Sequence, residues 1–138
     1  MRVITLLSMS IMLAGIGAVA YAQGRGGGNY NPATETTVTG TLDSVTNLPS
    51  PGRGGGGLHL IVAASTGPIE VHVGPASFVS SKHVTFAKGD VLTIVGSKVT
   101  MDGQYVVIAR EIKKGDQVLT LRDAQGVPLW SGRAGASR

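Results

Sequence analysis

Leu58 to Val73, LHLIVAASTGPIEVHV, is the stretch that decides the fold. Leu58, Leu60 and Val62 alternate with His59 and Ile61, and Ile69, Val71 and Val73 alternate with Glu70 and His72. A period of two puts each set on its own face of a strand. Between the arms, Ser65-Thr66-Gly67-Pro68 has the residue types of a tight turn. The stretch therefore predicts a hairpin whose Leu58, Leu60, Val62, Ile69, Val71 and Val73 face a core. His59, Ile61, Glu70 and His72 lie on the other face.

Working towards the N-terminus, TETTVTGTLDSV from Thr34 is rich in threonine and valine, and predicts a first strand with Val38, Gly40 and Leu42 on one side. Gly40 predicts a bulge or sharp bend that lets one long strand serve both sides of a small barrel. Asn47 to Gly57, NLPSPGRGGGG, cannot pair as a central strand and is expected to be a loop carrying Arg53 at its tip. Towards the C-terminus, Ala76 to Lys82 is compatible with one or two helical turns. The Lys88-Gly89-Asp90 turn then leads into a strand over Val91 to Val95, closed by Gly96. Asp102-Gly103 turns into Gln104 to Ile112, a fifth strand. Lys114-Gly115-Asp116 precedes Val118 to Leu121, and a short arm, Val127 to Trp130, ends the pattern. Trp130 is expected to pack as an apolar plug beneath the barrel. Three strands, a helix and two strands is the order of an OB-fold. The expected class is all-β: an OB-fold-like five-stranded Greek-key barrel with one short helix between strands 3 and 4 and an extra C-terminal β-hairpin.

The N-terminus has the parts of a secretory signal: Arg2, an apolar run from Val3 to Ala20, and Ala20-Tyr21-Ala22 before a cut. Residues 1–22 are read as a signal peptide and 23–33 as a flexible glycine-rich leader. The barrel domain is placed at 34–130 and a disordered tail at 131–138. A retained anchor is the alternative, since about 18 apolar residues is the lower limit for a span, but Gly15 and Gly17 favour a processed signal. The expectation is export to the periplasm or beyond, with no stable membrane span after cleavage. The sequence holds no cysteine, which excludes disulfides, thiol chemistry and thiolate metal sites. Its net charge of +4 permits anionic partners without the density of a dedicated polycation.

The strand motifs VTGTLDSV, KGDVLTIVGS and YVVIAREI, spanning roughly residues 36 to 112, resemble those of small exported bacterial OB-fold proteins of the periplasmic stress-tolerance type. GLHLIV, IEVHVGP and LTLRDAQGVPLW look like a subgroup of these often labelled hypothetical or DNA-binding. The glycine-rich insertion and the extra hairpin after Ile112 depart from the minimal five-strand pattern.

Two constellations carry chemistry. His59 and His72 fall opposite or diagonal in the hairpin, with Glu70 on the same face, a donor set for a divalent metal such as zinc or copper. Solvated polar residues on an alternating strand are the plainer reading. Lys98, Arg110, Lys113, Lys114 and Arg122, with Arg53 in the loop, form a candidate basic surface for an anionic ligand or nucleic acid. An ordinary charged surface is the plainer reading there. The hairpin face lacks the aromatic residues on which bases stack. There is no nucleophile elbow, no metalloprotease motif and no phosphate loop, so an enzyme is not expected. The expected function is a non-enzymatic exported binding module of the cell envelope that holds an anionic or small ligand on the barrel face. Single-stranded DNA binding through the basic stripe and metal binding by His59, Glu70 and His72 are the alternatives.

Overall fold

A computed structural model describes residues 29–49 and 57–131. The segment read as a signal peptide, most of the segment read as a leader, Arg53 and all but the first residue of the segment read as a tail lie outside the described residues.

The hairpin read from the sequence is present. Strand β1 spans Glu35–Leu48, β2 Gly57–Ala64 and β3 Gly67–Gly74; helix α1 spans Ala76–Ser81; β4 spans Val91–Met101, β5 Gln104–Lys114 and β6 Gln117–Thr120. The strand order is β3-β2-β1-β4-β5-β6, and β3 also pairs with β5. That parallel contact, Glu70 to Val106 through His72 to Ile108, closes five strands into a ring. The architecture is the expected OB-fold-like barrel, with α1 between β3 and β4 and β6 outside the ring. Only one arm of the extra hairpin is a strand: its return is a single bridge, Arg122 to Pro128, followed by a 3-10 turn at Leu129–Ser131.

The core comes from the inward set of each strand. Leu42, Leu60, Val62, Val71, Val73, Leu92, Ile94, Val107, Ala109, Ile112, Leu119 and Leu121 form one buried cluster. Val79 of α1 and Val84 after it also belong to that cluster. Leu58 and Ile69, expected inside, are half-buried at its edge. Burying each of the fully buried valine, leucine and isoleucine side chains stabilises the fold by about 1.5–3 kcal/mol. That term has no help from disulfides, since there is no cysteine.

Three bulges shape the ring, and none falls where the sequence reading put its bend. In β1 the register shifts between Leu42 and Ser44, so Asp43 is the extra residue. Gly40 serves a different purpose: there β1 pairs with both β2 and β4, and a Cβ would lie 2.5 Å from the Ala63 carbonyl oxygen. Gly96 does not close β4, which runs on to Met101. A Cβ on Gly96 would strike the Ile108 carbonyl oxygen, so its lack of a side chain lets β4 and β5 stay paired through the shift between Val95 and Gly96. The extra residue there is Arg110. The third shift, between Leu58 and His59, makes Val73 of β3 the extra residue, next to His72.

Candidate metal site on the barrel face

The outer face of the β2–β3 hairpin carries the site. His59 pairs directly with His72 across the ladder and Glu70 pairs with Ile61 two rungs on, past Leu60 and Val71, so two imidazoles and one carboxylate stand on the same face. The two-residue turn between β2 and β3 fixes this register, and a slip of one residue would put His59 on the opposite face from Glu70 and His72. His59 Nδ1 donates to Glu70 Oε1 at 3.0 Å, and His72 Nε2 donates to the same oxygen at 2.9 Å. The rings stack with centroids 4.0 Å apart and planes 29° from parallel. The three donor atoms lie within 4.8 Å of one another. On the side away from β2, β3 pairs with β5 and sets His72 beside Ile108, which is buried.

The electrostatics suit a cation. Burial pushes the Glu70 carboxyl up, but hydrogen bonds from His72 and His59 outweigh it and hold the group below the ordinary carboxylate range. Burial holds the His72 imidazole below its ordinary value, against the pull of Glu70. At neutral pH, Glu70 is therefore ionised and His72 neutral, the forms in which each can ligate. Ligands about 2.0–2.2 Å from a zinc-like ion stand roughly 3–3.5 Å apart. The two nitrogen-to-oxygen separations, 3.0 and 2.9 Å, are hydrogen-bond distances at the short edge of that spacing, so a metal would take the place of the two N–H protons. His83, the third histidine, is exposed and is not in this group.

The basic residues do not gather. Arg110, turned outward at its bulge, binds Glu35 bidentately, with Nε to Oε2 at 2.9 Å and a terminal nitrogen to Oε1 at 2.8 Å. Lys114 Nζ lies 3.0 Å from Asp90 and donates to the Thr85 carbonyl at 2.7 Å. Arg122 is aimed inward, its guanidinium 5.6 Å from the Tyr30 ring and 5.3 Å from the Trp130 ring. Lys113 is exposed opposite Thr93. Lys98 sits at the other end of the β4–β5 ladder, its ammonium 4.4 Å over Tyr105.

Tyr30 is a residue that sequence reasoning missed. The segment read as leader ends against the barrel: Tyr30 is buried and its hydroxyl donates to Glu35 at 2.6 Å. Asn31 and Thr34 bind the hydroxyl of buried Ser97. Burial, reinforced by the Glu35 charge, pushes the Tyr30 hydroxyl well above its ordinary range. The one local signal was Asn31-Pro32, which caps the 3-10 turn Pro32–Thr34 that leads into β1.

Residues 34–119, from the entry to β1 into β6, match the family described as the MamS/MamX magnetosome protein family. The chain belongs to the MamS/MamX family. The stretch that matches this family holds His59, Glu70, His72, Lys98, Tyr105 and Arg110, and stops before Arg122 and Trp130. No curated protein matches the chain. The family matched is a different one from the periplasmic stress-tolerance group that the strand motifs resemble, and what stands of that resemblance is the OB-fold-like barrel of the structure. Among the described residues, no helix is long and apolar enough to cross a membrane.

Proposed function

We propose that this MamS/MamX family member is a non-enzymatic, exported, magnetosome-associated module that binds a divalent metal ion through His59, Glu70 and His72. The observation that carries the reading is the convergence of the three donor atoms within 4.8 Å on two rigid, register-locked strands. Zinc and copper suit imidazole donors, and two histidines with one carboxylate also suit ferrous iron, with coordination positions left for water. A metal held by three protein ligands on an open face is exchangeable, which fits a carrier or sensor better than a structural staple.

The family's association with the magnetosome and the signal-like N-terminus both support a place outside the cytoplasm. The nucleic-acid reading has less support, because Arg110 and Lys114 are held in ion pairs and Arg122 lies between two rings.

Calorimetric titration with Zn(II), Cu(II) and, under anaerobic conditions, Fe(II) tests the proposal. One equivalent is expected to bind the wild-type chain, with His59→Ala and His72→Ala each weakening it at least about tenfold and the double variant abolishing it. Equal heats from wild type and the double variant would end the reading.

A further inference from the structure

A second site lies at one open end of the barrel, away from the metal-binding face. There the N-terminal half of β1 diverges from the tip of the β2–β3 hairpin, and β4 and β5 complete the rim. The resulting groove has a volume of about 500 Å³, within the range of small-molecule sites. Its floor is apolar: Val38 and Ile69 are half-buried against the core, and Val107 is buried within it. Its rim carries the Thr36 hydroxyl, Lys98 and Tyr105. Lys98 is the one charged residue among the described lining residues, and none of them is a carboxylate. Tyr105 keeps 69 % of its surface exposed, with the Lys98 ammonium 4.4 Å from its ring centre.

A large aromatic ring left in solvent at the mouth of an apolar cavity loses the burial that would stabilise it. A lysine held over that ring is a positive charge fixed at the entrance and lacking an acidic partner in the groove. We propose that this groove binds a small organic anion, its apolar or aromatic body on Val38, Ile69 and Val107 and its carboxylate, sulfonate or phosphate at Lys98. Charge complementarity at Lys98 selects the anion, the floor selects its apolar part, and Tyr105 closes over it as a lid of low conformational cost. The site is independent of the metal-binding reading.

Fluorescence titration of the purified chain with anilinonaphthalene sulfonate, an aromatic anion that brightens in apolar surroundings, tests this. Saturable binding is expected, and octanoate should displace the probe. Lys98→Glu, at an exposed position, is expected to weaken the anionic probe at least about tenfold, since attraction at contact distance becomes repulsion. It should leave the neutral analogue phenylnaphthylamine bound as in wild type, and Tyr105→Ala should weaken both probes. Circular dichroism unchanged from wild type would show that both variants are folded. Anionic probe binding that is absent, or equal in wild type and Lys98→Glu, overturns the proposal. So does binding of an oligothymidylate with no response to either small anion, which would make this end of the barrel a nucleic-acid surface.

Discussion

Glu35 joins Tyr30 to Arg110, and its titration is measurable. Hydrogen bonds from Arg110, then Tyr30, hold its carboxyl below the ordinary value of 4.5. Because the folded value is the lower one, its contribution is complete above the unfolded value and is lost as pH falls through the folded value. Urea unfolding of Glu35→Gln at neutral pH is expected to show a loss of about 1 kcal/mol, as for a partly exposed but bidentate pair. The difference from wild type should shrink below about pH 4.5. A variant whose deficit persists unchanged to low pH would show that the ion pair is not its source. At this scale the candidate metal site was legible in the sequence, because alternation fixes which face His59, Glu70 and His72 occupy and a tight turn fixes their register. The partner of Arg110 was not legible. It depends on a bulge that turns Arg110 towards a residue on β1 far away in the chain, and no local pattern encodes that meeting. Tyr30 was hidden for a related reason, since its glycine and asparagine neighbours look like linker whether or not the ring finds a pocket.

The strands follow the same division between local and distant causes. Those of the β2–β3 hairpin were legible because each alternates cleanly and is bounded by glycine. β4 was cut short in the sequence reading because Gly96 looks like a terminator, whereas it marks close approach to the Ile108 carbonyl. Gly96→Ala is therefore expected to force β4 and β5 apart and cost about 2–4 kcal/mol. Chemical denaturation would register this as a lower midpoint with an unchanged slope. A loss under about 0.5 kcal/mol, the usual range for harmless surface changes, would mean that β4 relaxes at no cost. The late run from Val118 to Trp130 was legible as strand-like, but only β6 pairs as a strand. Pro128 cannot donate to a ladder, and Trp130 leaves the sheet to lie against Phe78 with ring centres 5.3 Å apart.

For the whole molecule, the single tryptophan is a convenient witness. Trp130 is packed against the barrel core although it follows β6, beyond the ring. The emission of Trp130 and the far-ultraviolet dichroism of the strands are therefore expected to change at one urea concentration. Trp130→Ala should lower stability by about 2 kcal/mol, less than for a fully buried ring. Two separate transitions would show that the segment after β6 melts independently. Metal at about a hundredfold excess over its dissociation constant should raise stability by about 2.7 kcal/mol, read as a higher melting temperature that His59→Ala does not share. The parallel seam between β3 and β5 also bears on how fast the chain finds its shape. It is completed by residues 70–72 and 106–108, so loop-closure entropy must be lost before this pairing returns anything. Refolding in milliseconds to seconds, typical of small barrels with high contact order, is the expected pace. In stopped-flow mixing, a substitution at Val107 should then alter chiefly the unfolding limb of the chevron, because that seam zips after the hairpins have met.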